Sequence, residues 1–359
     1  LVGVVPDVHG QELPSWVKNE SVRKAGGQSF GNLGTDLAQL YRRHQRFQTS
    51  KAAGSSFKPK SSAMPVQDER VTLDILARSG KEAALMVELR ALGAENLARS
   101  ERLISGQVPI SALAEVAELP SLHSANPAYM VSASGSVITQ GDSAMKADIA
   151  RSQNGFDGTG VQVGVLSDSY NQSGNAISAQ DDIDSGDLPP SDRITVLQDA
   201  VDRTDEGRAM MQIIHDVTPG ADLAFHTAAG GQANFAQGIR DLANAGSGVI
   251  TDDILYPGEP MFQDGVIADA IEDVSQNGAA YFSAVGNYAR QSHTDTFSDS
   301  GIAGPNGGTF HDFSGGYIQQ RITIPKGGAD ANFVFQWADP YASVSAAGVG
   351  EIGRASCRE

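Results

Sequence analysis

The apolar positions of the chain recur with different periods in different stretches. RVTLDILA (70–77) alternates Val71, Leu73 and Ile75 with polar neighbours, which predicts a strand buried on one face. After Ser79-Gly80, the run KEAALMVELRALG sets Leu85, Leu89 and Leu92 along one helix face. ERLISGQVPI then predicts two short strands around Gly106, ISALAEVAELP a helix ended by Pro120, and PAYMV a last strand. That order predicts a small α+β sandwich of the split-βαβ kind over residues 66–135.

From Gly158 the pattern becomes strand alternating with helix. VQVGVLS (161–167) is almost wholly apolar, as a strand covered on both faces should be. GRAMMQIIHDV places Met210, Ile213, Ile214 and Val217 on one face and stops before Pro219-Gly220. ADLAFHT, a helix through Phe235, Ile239 and Leu242, GVIT, a helix through Val266, Ala270, Ile271 and Val274, and AAYFSA continue the alternation. The predicted fold class over 157–304 is α/β, an open parallel sheet with helices on both faces. After Pro305 the period returns to two, and YIQQRITIP and ANFVFQW predict the start of a β-rich insert over 305–350.

The flanks read differently. Residues 1–65 are basic and rich in Gly, Ser and Lys, with one helical stretch near LAQLYRRHQRF, which suggests a disordered leader or linker. A second linker is expected at 136–156. The last nine residues, EIGRASCRE (351–359), resemble the translation of a commonly used sequencing adapter. On that reading Cys357 is foreign and the natural chain is cut near Gly350.

Composition narrows the function classes. The 359 residues carry 26 Lys and Arg against 43 Asp and Glu, a net charge of −17, which removes the basic face a nucleic-acid binder needs. No run of 18 apolar residues could span a membrane. A single cysteine makes no internal disulfide.

In an open α/β sheet, ligands bind beyond the carboxyl ends of the strands. There the sequence places Ser167-Asp168-Ser169, Asp252-Asp253 and Val285-Gly286-Asn287, with Glu206 opening the GRAMMQIIHDV helix. Each also has a plain structural use. Asp168 would suit a turn cap, Glu206 the positive end of a helix dipole, and Asn287 a left-handed turn. His215 and His226 read as core or surface histidines. DDIDSGD (181–187) lacks the terminal glutamate of a calcium loop and is expected to be a solvated acidic loop. GTGVQVG precedes its strand instead of following it, which rules out a dinucleotide fingerprint.

GTGVQVGVLSDSYN resembles the catalytic-aspartate strand of subtilisin-like and sedolisin-like serine peptidases. YFSAVGN is similar to their oxyanion strand, and DEGRAMMQIIHDVTPGADLAFHTA to the helix, turn and strand that carry the base. The resemblance implies a serine endopeptidase with Glu206 as general base where subtilisins write histidine, Asn287 in the oxyanion hole, and residues 66–135 as an inhibitory propeptide. Sedolisins support the glutamate with an aspartate four residues on, but that position is Met210 here, so the resemblance assigns the supporting role to Asp168. Asp252 and Asp253 fall where the family lines its substrate cleft, either touching substrate or serving as a further acid. The expected partners are a polypeptide substrate and the chain's own propeptide. No cofactor is required, calcium remains a candidate structural ion, and secretion or a cell-envelope location is implied. The nucleophile would lie in a Gly-Thr-Ser motif, which does not occur after Asn287 and is expected to have been lost by truncation. The competing reading is a non-catalytic surface or adhesion module on the same scaffold.

Overall fold

The computed structural model describes residues 24–25, 28–30, 32–50, 57–59, 64–129, 131–132, 140–174, 177–287, 294–304, 308–319, 334, 336 and 338. The start of the leader, most of the expected β-rich insert and the adapter-like tail fall outside them. The chain forms two compact units. The smaller contains the short antiparallel pairs β1 (Lys24–Ala25) with β2 (Gln28–Ser29), and β15 (Asp299–Ala303) with β16 (Thr309–His311). The larger comprises Phe30–Asn287 and Phe335–Gly353 and carries everything else described below.

The first layer of the larger unit begins with helix α1 (Thr35–Ser50). An antiparallel sheet follows, in the order β3 (Val66–Gln67), β4 (Arg70–Ala77), β6 (Leu103–Pro109), β5 (Glu95–Ser100), with β7 (Leu122–Pro127) on the other side of β4. Helices α2 (Glu82–Ala91) and α3 (Leu113–Ala117) cover one face of it. The reading of residues 1–65 as disordered linker does not hold for Phe30 and 32–50. Leu37 and Leu40 of α1 are buried in the same core as Val71, Leu73, Ile75, Leu85 and Leu89. Only a few apolar positions of α1 make that contact, which is why its periodicity looked weak.

Two strand expectations shift as well. Residues 103–109 form one continuous strand, not two around Gly106. A Cβ at that glycine would crowd the β5 backbone, 3.1 Å from Glu95 O and 3.3 Å from Leu97 Cα. The last strand is Leu122–Pro127, a few residues before PAYMV, and β8 (Val131–Ser132) follows it.

Short helices α4 (Gly141–Ala144) and α5 (Ala147–Asn154) occupy the expected second linker. The second layer is a five-stranded parallel sheet ordered β10-β11-β9-β12-β14. Its strands are β9 (Gln162–Ser167), β10 (Ile194–Gln198), β11 (Asp222–Thr227), β12 (Val249–Asp252) and β14 (Ala280–Ser283). Helices α6 (Ala179–Ser185) and α7 (Glu206–Val217) lie on one face, and α8 (Gln232–Asn244) and α9 (Val266–Gln276) on the other. The two-residue β13 (Ile254–Leu255) follows β12 and pairs antiparallel with β8. The open parallel sheet expected from the alternation is present. β10 was missed because it is an edge strand with almost no buried side chain.

β4 departs from its expected half-burial because both of its faces are covered. Its polar face lies against α8, where the Asp74 carboxylate accepts from Gln232 N (3.1 Å), Gln232 Nε2 (2.9 Å) and Ser105 Oγ (2.6 Å). Ser105 Oγ in turn accepts from Ala233 N at 3.0 Å. The first layer thus caps the N-terminus of α8, satisfying N–H groups that a helix leaves without intrahelical partners. Glu259 caps α9 likewise, accepting from Ile267 N (3.1 Å) and Ala268 N (3.4 Å).

Two outcomes follow from this packing. Leu37→Ala should cost about 2–5 kcal/mol in urea unfolding, the range for a fully buried leucine, whereas a leader helix in solvent would show no change. The second concerns Glu259, whose burial outweighs its backbone hydrogen bonds and pushes its carboxyl from 4.5 up to about 7. A raised carboxyl binds its proton more tightly in the folded state, so its contribution is complete below about pH 4 and lost as pH rises toward 7. Glu259→Gln should flatten that part of a Tm-against-pH curve.

Candidate active site

The register of the parallel sheet sets the site. Asp252 pairs with Leu166 of β9 and with Ser283 of β14, so the chain beyond β12 runs alongside Ser167 and Asp168. Side chains alternate between faces along a strand. Leu166, Ile250, Asp252 and Tyr281 therefore share the α8/α9 face, while Val163, Val165, Ser167 and Phe225 share the α6/α7 face.

Asp168 is 3% exposed and its carboxylate is filled by donors. Oδ1 accepts from Ser169 N (2.5 Å) and Glu206 N (2.9 Å), and Oδ2 from Thr204 N (2.7 Å) and Thr204 Oγ1 (2.5 Å). The Thr227 hydroxyl holds the Asp168 carbonyl from β11 at 2.7 Å. Asp168 therefore caps α7 and meets Glu206 through its backbone; none of these four bonds comes from the Glu206 side chain.

Glu206 is the first residue of α7 and half-buried. The helix is drawn close to the sheet at the next residue. A Cβ on Gly207 would lie 2.3 Å from Phe225 Cε2 and 2.8 Å from Ser169 O. The residue before it, Asp205, adopts a left-handed backbone (φ 60°). Its carboxylate collects Ser169 Oγ, Gln172 N, Ser173 N and Ser173 Oγ. Burial raises the Asp205 carboxyl, but the hydrogen bonds led by Gln172 N outweigh it and hold the group below the usual range.

Arg208, also buried, pairs with Asp182 (2.9 Å) and Asp205 (3.2 Å) and donates to Tyr170 O, Asn171 Oδ1 and Ile177 O. DDIDSGD is thus mostly the helix α6, whose Asp182 faces a buried guanidinium. Sequence reasoning missed Arg208 and Thr204, although an arginine on the apolar face of an amphipathic helix was a usable signal.

The two adjacent aspartates diverge. Asp252 accepts from Tyr281 Oη (2.7 Å), Ser283 Oγ (3.1 Å) and Ile254 N (2.9 Å), tying β12 to β14. Burial raises its carboxyl despite these donors. Asp253 turns toward the α7 face, where it meets the Glu206 carboxyl and the Ser167 hydroxyl. Burial first, and then the Glu206 charge, push it from 3.8 up to about 7. Asn287 lies exposed after β14, whose strand neighbours β12.

The geometry thus gathers Asp168, Glu206 and Asp253, and assigns Asp252 to sheet structure. Of the two histidines, His226 is buried with Nδ1 2.8 Å from Thr227 O, and His215 is partly buried near the far end of α7. Burial lowers both. No cluster of metal-ligating side chains occurs among the described residues. Nor is any helix among them long and apolar enough to cross a membrane.

Gly207→Ala separates packing from propensity. Alanine gains up to about 1 kcal/mol in an exposed helix, but here overpacking against Phe225 and Ser169 costs about 1–3 kcal/mol. A net loss of Tm is expected, and a rise would show that α7 is free to move off the sheet.

No family model matches the chain, and no curated protein matches it. Among solved structures it is similar to subtilisin-like serine proteases. One is fervidolysin from Fervidobacterium pennivorans, a keratinolytic enzyme related to subtilisin (11% identity, TM-score 0.33, 62% of this chain and 41% of that one). Another is the epidermin leader peptide processing serine protease EpiP from Staphylococcus aureus (11%, TM-score 0.35, 61% of each chain). A mutant of that protease gives 10% and 0.36 over the same coverage. The matched region spans about two-fifths to three-fifths of those proteins. Likeness at this level carries no argument about function, which rests on the residues themselves.

Proposed function

We propose that the chain carries the base-bearing half of a serine-type endopeptidase, held as a zymogen by its own first layer. The observation that carries this reading is the antiparallel pairing of β8 with β13. An extended segment of the first layer lies backbone to backbone along the two residues that follow Asp253. Strand addition of this kind is a common way to bind a peptide without reading most of its side chains. It sets a polypeptide along the residues that directly follow Asp253, the acid that meets Glu206 on the α7 side.

In this reading Glu206 takes the proton of a serine hydroxyl as its oxygen attacks the scissile carbonyl, and returns it to the leaving amine. Asn287, two strands from Asp168 at the same edge, donates its amide to the developing oxyanion. Asp168 fixes the start of α7, and hence the backbone of the base. Substrates are polypeptides, β8 occupies their place until the segment between the layers is cut, and the setting is outside the cell or in its envelope. Calcium enters only as a candidate structural ion.

The serine is expected in a Gly-Thr-Ser motif, absent from these 359 residues. A fluorophosphonate probe should therefore leave this chain unlabelled and should label that serine in a longer form that contains the motif. In the longer form, hydrolysis of casein should appear together with cleavage between residues 132 and 140. Glu206→Gln should lower kcat by about 10²–10⁴. Labelling of the 359-residue chain, or wild-type turnover by Glu206→Gln, would overturn the reading. A longer form with no Gly-Thr-Ser motif would favour a binding module.

A further inference from the structure

Asp253 is a buried acid with an unusual environment. It is 7% exposed, and neither carboxyl oxygen meets a donor in hydrogen-bond geometry among the described residues. Its neighbour Asp252 has three donors and Asp168 has four. Burying an ionised carboxylate without partners is costly, and such a group takes up a proton in preference. The facing groups decide where that proton goes. From β9 there is the Ser167 hydroxyl, from α7 the Glu206 carboxyl, and along its own strand Asp252, turned toward β14. No cation is among the groups that act most strongly on Asp253. Arg208, two residues after Glu206 on α7, is committed to Asp182 and Asp205. The Asp168 carboxylate is likewise committed, to Thr204 and two backbone N–H groups.

We infer that Asp253, and not Asp168, is the positioning residue for the Glu206 side chain, the two carboxyls holding one proton between them. This rests on the reading of Glu206 as the base. Two carboxylates in contact cannot both ionise easily. With Asp253 protonated and donating to Glu206, the pair carries one negative charge on the residue that meets the nucleophile. When the serine oxygen bonds to the carbonyl carbon, its proton passes to Glu206. The same proton leaves with the amine as the C–N bond breaks, and Asp253 keeps its own proton throughout. The upward displacement of Asp253 agrees with this division, which needs no histidine and no acid on the following turn of α7.

The test does not require the nucleophile. In the 359-residue chain, labelled Asp and Glu side-chain carboxyls can be followed by NMR from pH 3 to 9. Glu206 and Asp253 should each show two inflections, the macroscopic steps of a coupled pair, with the upper one near 7. Asp253→Asn should leave Glu206 with one inflection, and Glu206→Gln should lower the upper step of Asp253. Asp168→Asn should preserve the coupling, although it removes a helix cap and lowers Tm. A single inflection for Glu206 in the wild type, or coupling lost with Asp168→Asn and kept with Asp253→Asn, would sink the inference.

Activity then separates the two claims. In the longer form, Asp253→Asn should lower kcat by roughly 10² and move the acid limb, with KM little changed. A coupled pair with full activity in Glu206→Gln would sink the base assignment while the pairing stands. Loss of activity in Glu206→Gln without coupling would do the reverse.

Discussion

Four donors converge on the Asp168 carboxylate, and the site depends on that convergence. Two come from Thr204, one from Ser169, and one is the first N–H of α7. Through them the end of β9 fixes where α7 begins and therefore where Glu206 stands. The second tie is steric, since Gly207 brings the helix so near Phe225 that no side chain fits. The third is ionic, since Arg208 gathers Asp182, Asp205 and three oxygens of the 170–177 loop. Consecutive residues 205–208 thus stand in separate surroundings: a loop anchor, the half-buried Glu206 carboxyl facing Asp253, a closely packed glycine and a buried cation.

Alternation along a strand does the rest. Two aspartates in a row at the end of β12 cannot share an environment, because successive side chains leave by opposite faces. Asp252 enters the α8/α9 side, where Tyr281 and Ser283 supply hydroxyls. Asp253 enters the α7 side, where the opposing groups are another carboxyl and one serine hydroxyl. The same residue type at adjacent positions is a lateral tie in one case and an ionisable partner in the other. The difference lies in the neighbours, not in the sequence spacing.

The alternating strands and helices from Gly158 onward were legible because parallel strands buried on both faces are nearly continuous apolar runs. The carboxyl ends of those strands, and so Asp168, Glu206 and the Asp252-Asp253 pair, followed from topology. Three things were not legible. Helix α1 contacts its core through too few apolar residues to show a clear period. The edge strand β10 buries almost nothing, so its pattern carried no burial signal. The different surroundings of Asp168 and Asp253 depend on which donors reach each carboxylate, and those donors, Thr204 above all, are distant in sequence and ordinary in type. The resemblance to a peptidase motif pointed to Asp168 as the partner of Glu206; the hydrogen bonds of Asp168 go to Thr204 and to backbone N–H groups.

The Asp74 cap on α8 has a consequence for how the larger unit opens. Asp74 and Ser105 belong to the first layer, yet they satisfy the leading amides of a helix in the second. Their acceptors sit on the central strands of another sheet, so fraying of the first turn of α8 also costs contacts to the first layer. Protection of the Gln232 and Ala233 amides against exchange with deuterated solvent is therefore tied to contact between the layers, through acceptors 158 and 128 positions away in the chain.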